Sequence, residues 1–370
     1  MGGSIPLGSF LGIPLRMHWS APVLIVFLGV GLAGGTLPAW VPGRSTAVYD
    51  TAGLAGAVLL TVSLLLHEAA HAVTARRAGI RVLDITVWGL GGVTRLGRAA
   101  TPRTQFTVAV AGPLASVALG GLGIGAGFGV DRLLHWPVVS AVLVWAGGAN
   151  LLLGVFNLLP AAPLDGGRIV LSAVWWRSGD RSRAQRVAGR SGQVAGFLMI
   201  AFGWAELTRG LNSGLWLMLI GGFVSVSALA EVRQSVVLAA LAGVRVADAM
   251  TSPAVAGPDW RTVEDFLATE MARTQRPAVP VFDFEGRPSG VAERYRLMAV
   301  PASRRSEVRV RELAVPLAQC TVATPGEDLV EVLDRVVPTP HMVILVVEDG
   351  HLIGTVTGED ITRVARRRLP

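Results

Sequence analysis

The chain has 370 residues, of which 51% are hydrophobic and 16% are charged, and its mean hydropathy is +0.53. Soluble domains contain about 25% charged residues, so this balance excludes an ordinary soluble protein and indicates an integral membrane protein. The net charge is +7, but the basic residues are arginines that cluster in loops beside apolar segments. Membrane topology therefore explains the charge better than nucleic-acid binding does.

Six apolar segments approach the roughly 20 residues that a membrane-spanning helix needs. The first lacks a small-residue cleavage site after it and is predicted to be a retained anchor. Six arginines lie between the second and third segments and six between the fourth and fifth. The other three loops, which would lie on the opposite side of the membrane, contain three arginines in total. The chain is therefore predicted to be a multi-pass protein of the cell membrane with both termini cytoplasmic. The segments are 18–38, 52–75, 104–129, 137–159, 191–208 and 213–231.

The second segment contains the sequence His67-Glu68-Ala69-Ala70-His71. Histidines at i and i+4 share one helix face and can hold one zinc ion, and the carboxylate of Glu68 can reach a water on that metal. Ionisable residues at membrane depth are costly and mark functional sites. The pattern predicts hydrolytic metal chemistry within the membrane; the alternative is a buried histidine pair beside a neutral glutamate.

The segment 81–95 is rich in β-branched residues and carries glycines near its end. This composition predicts a strand or hairpin that is tucked into the helical bundle. Such a strand could pair with an extended substrate by β-addition, with Gly91 and Gly92 as substrate-binding residues. A flexible cytoplasmic loop is the alternative.

Asp165 is the candidate for a third zinc ligand, because a catalytic zinc usually has three protein ligands. It follows a break in the fourth segment, where Pro160 and Pro163 prevent a regular helix and Gly166-Gly167 permits a tight turn. Irregular backbone beside a membrane span is tolerated when it is buried in protein or lines a watery cavity. An ordinary loop with a turn aspartate is the alternative.

From about Gly243 onward, charges and prolines become frequent and the apolar runs shrink to strand length. Two units, 244–300 and 308–367, share the same order of strands and amphipathic helices. The chain is therefore predicted to consist of a membrane domain, 1–235, and a cytoplasmic α/β tandem repeat, 244–370.

Two motifs together resemble those of the site-2 protease family of intramembrane zinc metalloproteases. They are His67-Glu68-x-x-His71 in the second segment and Asn157-x-x-Pro160-x-x-Pro163-Leu164-Asp165-Gly166 after the fourth. The resemblance is to the six-span form with C-terminal cystathionine-β-synthase (CBS) motifs. It implies an α-helical membrane protein with six transmembrane helices and a short membrane-associated β segment, followed by a cytoplasmic α/β tandem CBS domain.

The resemblance also implies the roles of five residues. One zinc ion per chain would be bound by His67, His71 and Asp165, with Glu68 as the catalytic base. Asn157 would hold the scissile peptide or its developing oxyanion, although an asparagine late in a span is as readily a helix–helix hydrogen bonder. The substrate would be a membrane-spanning protein, for example an anti-sigma factor or a signal-peptide remnant.

The stretch 354–360 resembles the nucleotide-binding signature that ends a CBS motif. In such motifs the threonine contacts phosphate and the aspartate contacts ribose, which assigns those contacts here to Thr357 and Asp360. The first repeat lacks both residues at 290–294, so an adenine nucleotide site would be single. A purely structural or dimerising CBS pair is the alternative, and such pairs often form homodimers.

Two other functional classes compete with the protease. A transporter or channel gated by its CBS pair would need no single open zinc site and no catalytic glutamate. A catalytically inactive family member would act as a membrane scaffold. Zinc content and cleavage of a model transmembrane peptide distinguish the three classes.

Overall fold

A computed structural model of the chain describes residues 4–368 except 90, 98 and 337–340. Its backbone divides into two compact units, Met1–Ser235 and Val236–Pro370. The first unit is mainly helical, and the second mixes short helices with two small sheets.

Long helices make up most of the first unit. The first of them is interrupted by a π-helical turn, Leu32–Thr36, between α1 and α2. The helices are α1 (Ser20–Gly31), α2 (Leu37–Trp40), α3 (Thr46–Arg77), α4 (Pro102–Leu134), α5 (Pro137–Asn157), α6 (Asp165–Ser178), α7 (Arg181–Thr208) and α8 (Ser213–Ala240).

Within the described residues, five helical segments are long and apolar enough to span a membrane: Ser20–Trp40, α3, α4, α5 and α8. Large apolar side chains such as Leu122 and Phe27 are 70% and 63% exposed on their outer surfaces, as expected of helices that face lipid. The sequence predicts six spans, and the difference is the segment 191–208. That segment is the second half of α7, and polar residues such as Gln193 and Glu206 make it less apolar than the five candidate spans.

A four-stranded sheet lies in the same unit. Its strands are β1 (Ser4–Phe10), β2 (Ile13–His18), β3 (Val82–Trp88) and β4 (Gly91–Leu96), in that spatial order. The predicted hairpin at 81–95 is present as β3 and β4, whereas β1 and β2 were not predicted. Ile13 of β2 and Ile85 of β3 pack against Ala69 and Ala72 of α3, so the sheet lies directly against the helix that carries the histidines.

The second unit contains two sheets, and the first of them takes its last strand from the second predicted repeat, 308–367. The first has the order β5-β6-β7-β8 and the second the order β11-β10-β9. The turn between β10 and β11 has the predicted Asp349-Gly350 sequence, with φ of 50° and 80°. The elements are α9 (Val246–Ala249), β5 (Gly257–Pro258), α10 (Val263–Ala268), β6 (Ala278–Phe282), β7 (Pro288–Glu293), α11 (Arg294–Met298), β8 (Val315–Pro316), β9 (Thr321–Ala323), α12 (Leu329–Asp334), β10 (Val343–Glu348), β11 (His351–Thr357) and α13 (Gly358–Arg368).

Candidate metal centre

The predicted residues His67, His71 and Asp165 lie together in the interior of the first unit. Both histidines are 3% exposed, and Asp165 is 8% exposed. The histidines come from one face of α3, and Asp165 is the first residue of α6, directly after the proline-containing break. A Cβ at Gly166 would lie 2.0 Å from Leu159 O, so glycine is required where the break folds back on α6.

The three donor atoms form a nearly equilateral triangle. His71 Nε2 lies 3.2 Å from His67 Nε2 and 3.1 Å from Asp165 Oδ2. His67 Nε2 lies 3.3 Å from the same carboxylate oxygen. Tetrahedral zinc with bonds of about 2.0–2.1 Å places its donors roughly 3.3–3.4 Å apart. The three donor atoms could therefore hold one metal ion, and their spacing fits zinc.

The outer nitrogens of the two rings are also engaged. His71 Nδ1 donates to Val108 O at 2.7 Å, and His67 Nδ1 lies 2.9 Å from Ser116 Oγ. Because a carbonyl oxygen only accepts, His71 carries a proton on Nδ1, which leaves Nε2 as the nitrogen that can bind a metal ion. An imidazole nitrogen and a carboxylate oxygen at this distance need a proton or a metal ion between them, and two imidazoles with one carboxylate are a donor set that zinc binds.

Gly112 of α4 gives the two imidazoles the space they occupy. A Cβ at this position would lie 2.2 Å from His71 Nε2 and 2.6 Å from His67 Nε2. Only a glycine lets α4 approach the histidines this closely. The sequence alone does not connect Gly112 with the metal centre, because its role depends on how α3 and α4 pack.

Glu68 is 8% exposed and contacts β4. Thr94 Oγ1 donates to Glu68 Oε2 at 2.6 Å and lies 3.2 Å from Glu68 O. A Cβ at Gly92 would lie 2.4 Å from Glu68 Cγ. The strand therefore fixes one side of the carboxylate, and Thr94 is a further residue of the site to which no sequence motif points. Gly91 precedes Gly92 in the strand, and its φ of 151° favours glycine.

Asn157 is the last residue of α5 and is half-buried. It precedes the break that leads to Asp165. Its role as a donor to the substrate carbonyl oxygen stays a prediction.

In the second unit, Thr357 and Asp360 form a reciprocal capping box at the start of α13. Thr357 N and Oγ1 donate to Asp360 Oδ2 at 2.9 and 2.7 Å, and Thr251 Oγ1 donates to Asp360 Oδ1 at 2.7 Å. Burial raises the pKa of Asp360, but these hydrogen bonds and Arg363 outweigh it and hold the pKa below its usual value. Asp360 is 1% exposed, so its carboxylate could contact a ribose only by exchanging these partners.

A groove of about 600 Å³ runs along α13 beside this capping box. Three arginines and the polar side chains of the first turns give it a basic surface, which suits a phosphate-bearing ligand. It is lined by Gly358, Glu359, Thr362, Arg363, Arg366 and Arg367.

Comparison with family models gives two matches. The model described as Peptidase family M50 matches residues 55–132 and 123–202, and the model described as CBS domain matches residues 310–367. The first match contains His67, Glu68, His71 and Asp165.

Several curated proteins match nearly the whole chain. Putative zinc metalloprotease Rip3 of Mycobacterium tuberculosis is 41% identical over 98% of this chain and 93% of that protein. Putative zinc metalloprotease sll0528 of Synechocystis is 30% identical over 96% and 93%, and zinc metalloprotease MJ0392 of Methanocaldococcus jannaschii is 28% identical over 98% and 96%. Among solved structures, the site-2 protease from Methanocaldococcus jannaschii matches with a TM-score of 0.44 and 27% identity, over 62% of this chain and 95% of that one.

Proposed function

Because the chain belongs to peptidase family M50, the site-2 proteases, we propose that His67, His71 and Asp165 hold its catalytic zinc ion. The protein is an intramembrane zinc metalloprotease, and its substrates are membrane proteins. The observation that carries the assignment of ligands is the triangle of donor atoms, with sides of 3.1, 3.2 and 3.3 Å. Loss of zinc from an Asp165→Asn variant tests it.

Glu68 is the general base in this proposal. A zinc ion at the site would make water acidic enough to supply hydroxide near neutral pH and would polarise a peptide carbonyl. Glu68 accepts the proton of the attacking water and passes it to the departing amine. Asn157 donates a hydrogen bond to the carbonyl oxygen as negative charge develops on it.

Thr94 positions Glu68, so a Thr94→Val variant should lose turnover without losing substrate binding. Valine keeps the shape of threonine but removes the hydroxyl that donates to Glu68 Oε2 at 2.6 Å. A hydrogen bond to a charged group contributes about 1.5–3 kcal/mol, so kcat should fall roughly tenfold or more with KM unchanged. Kinetics on a model transmembrane peptide measure both constants.

The matched control is Thr94→Ser, which keeps the hydroxyl and should retain most of the turnover. Both variants should bind zinc as the wild type does. Equal loss of turnover in the two variants would mean that packing of the Thr94 methyl group, and not its hydrogen bond, matters.

The substrate is held as an added strand along β4. Two features support this: β4 is the outer strand of its sheet, and its residues Gly92 and Thr94 contact Glu68. An outer strand presents backbone donors and acceptors to which an extended peptide can bind. A peptide bond that is unwound along this strand would lie next to the general base, with Gly91 and Gly92 at the contact.

Methylation of backbone nitrogens in the substrate should test this pairing. Peptides methylated at the residues flanking the scissile bond lose donors to β4, so their kcat/KM should fall by roughly two- to twelvefold per bond lost, given about 0.5–1.5 kcal/mol for each. The control is a peptide methylated more than two helical turns away from the scissile bond, and its kcat/KM should change little. If both sets of peptides are cleaved equally well, β-addition is wrong. Substitution of Gly92 is a less direct test, because a side chain there would collide with Glu68.

The orientation, domains and partners of the chain are also proposals. Arginine-rich loops between the second and third and between the fourth and fifth predicted segments support cytoplasmic termini. The membrane domain is assigned to 1–235 and a tandem CBS domain to 244–370, through which two chains form a homodimer. Substrates would be single-span proteins such as anti-sigma factors or signal-peptide remnants.

The second CBS repeat is proposed to bind an adenine nucleotide at Thr357, Asp360 and the basic groove along α13. The groove favours this proposal because Arg363, Arg366 and Arg367 line it. Since Asp360 is buried and fully engaged, the arginines supply the main contacts to phosphate.

Titration calorimetry of the full-length protein with ATP and AMP tests the nucleotide site. Binding should weaken about tenfold or more in an Arg366→Gln, Arg367→Gln double variant, because two charged donors to phosphate are lost. Arg304→Gln changes an exposed arginine outside the groove and should leave the affinity unchanged. No heat with either nucleotide would remove the sensing role and leave a structural CBS pair.

A further inference from the structure

One buried side-chain oxygen in the first unit lacks a hydrogen-bond partner among the described residues. Asn150 of α5 is 3% exposed, and its Nδ2 donates to Ala146 O at 2.8 Å. Its Oδ1 is buried and has no donor. Buried acceptors are nearly always paired, with protein groups or with ordered water, so Asn150 Oδ1 calls for a donor nearby.

The hydroxyl of Ser116, in the same unit, lacks an acceptor when His67 binds zinc, so this step rests on the proposed function. If His67 binds zinc through Nε2, its Nδ1 carries the proton and donates to Ser116 Oγ, 2.9 Å away. The hydroxyl proton of Ser116 then needs an acceptor of its own. Ser116 is 0% exposed, and within the described part of the chain its hydroxyl forms no hydrogen bond other than the one with the His67 ring.

The packing of α4 against α5 brings this donor and this acceptor to the same region. A Cβ at Gly120 would lie 2.7 Å from the Leu151 side chain, and one at Gly154 would lie 3.1 Å from Pro113 O. Residues 113–120 of α4 therefore face residues 147–154 of α5, and Ser116 and Asn150 each lie in the middle of their stretch.

A third polar residue reaches this region from α3. A Cβ at Gly56 would lie 3.4 Å from Val142 and 3.7 Å from Trp145 of α5. The helices α3 and α5 run in parallel. Ser63, about two helical turns beyond Gly56 on α3, therefore lies level with Asn150 on α5. Ser63 is 5% exposed and donates to Leu60 O at 2.8 Å, which leaves its oxygen free to accept.

We propose that one buried water molecule joins Ser116, Asn150 and Ser63. It accepts from the Ser116 hydroxyl and donates one proton to Asn150 Oδ1 and the other to Ser63 Oγ. Three hydrogen bonds are typical of a buried water in a protein. The chain of bonds fixes the orientation and tautomer of the His67 ring, so Asn150 is a positioning residue for the metal centre although it does not touch the metal.

The zinc affinity of full-length variants, measured by competition with a chelator, tests this proposal. Loss of an outer partner of a metal-binding histidine weakens metal binding about 10–100-fold. Ser116→Ala should have an effect in this range. Asn150→Leu should weaken zinc binding several-fold, because leucine matches the size of asparagine but cannot accept. The double variant should bind zinc about as Ser116→Ala does, because both changes break the same chain of bonds.

Two variants separate positioning from packing. Asn150→Asp loses the donor to Ala146 but keeps the acceptor oxygen, and it should bind zinc nearly as the wild type does. Ser140→Ala removes another buried polar side chain of α5, ten residues away, and should also leave zinc affinity unchanged. Equal zinc affinity of the wild type and Asn150→Leu would overturn the proposed chain of hydrogen bonds but not the proposed function. Effects on zinc affinity that multiply in the double variant would do the same. A wild type that binds no zinc would overturn the proposed function and the proposed chain of hydrogen bonds with it.

Discussion

Replacing Glu68 with glutamine should abolish peptide cleavage while the protein still binds zinc. Glutamine occupies the space of glutamate and still accepts from Thr94, but it cannot take up the proton of the attacking water. General acid–base catalysis contributes about 10²–10⁴-fold to a rate, so cleavage should fall at least a hundredfold. Mass spectrometry of a model transmembrane peptide incubated with the protein in detergent measures the loss.

Zinc content measured on the same preparation is the control for Glu68→Gln. Because Glu68 is not one of the three donors in the buried cluster, the variant should hold as much zinc as the wild type. Cleavage that survives this substitution would show that another group acts as the base. Zinc loss together with loss of cleavage would instead assign Glu68 to the metal-binding residues.

Replacing Gly112 with alanine should remove both zinc and activity without touching a ligand. The added Cβ would lie 2.2 Å from His71 Nε2, well inside van der Waals contact, so the imidazoles must rotate away or α4 must shift. Either change breaks the triangle of donor atoms, and we expect zinc affinity to fall by at least about a hundredfold, the upper end of the range seen for outer-shell changes.

Gly121→Ala is the matched control, because Gly121 lies on the same helix and a Cβ there meets nothing within 4 Å. Alanine is the better helix former, so this variant should keep zinc, activity and thermal stability. If Gly112→Ala binds zinc as tightly as Gly121→Ala does, the close approach of α4 to the histidines is wrong.

The local part of the site could be predicted from sequence, because it depends on periodicity within one segment. His67 and His71 share a face simply because they are four residues apart on a helix. Asp165 could be placed near them because prolines and glycines mark the break that precedes α6. For the same reason, the glycine-containing hairpin at 81–95 was foreseen as a structured element close to the bundle.

The supporting residues could not be predicted, because each depends on how distant segments pack. Thr94 contacts Glu68 from 26 positions away, and Ser116 contacts His67 from 49 positions away. Neither spacing carries a local signal. The strands β1 and β2 were missed because prolines and glycines interrupt their short apolar runs.

The number of membrane-spanning helices depends on how the helices pack as well as on the hydropathy of each segment. The segment 191–208 is long enough to span a membrane, but polar residues such as Gln193 and Glu206 lower its hydropathy, so α7 is not among the five candidate spans of the described residues. Whether such a helix spans a membrane is decided by its neighbours in the bundle, which shield its polar groups from lipid.

X-ray absorption at the zinc edge of the purified full-length protein tests the central claim most directly. We expect one zinc ion per chain with two imidazole nitrogens and oxygen ligands at about 2.0–2.1 Å. One imidazole should disappear from the spectrum of a His71→Ala variant that is loaded with zinc. A protein that binds no zinc, or one whose zinc keeps both imidazoles in that variant, would contradict the assignment of His67, His71 and Asp165.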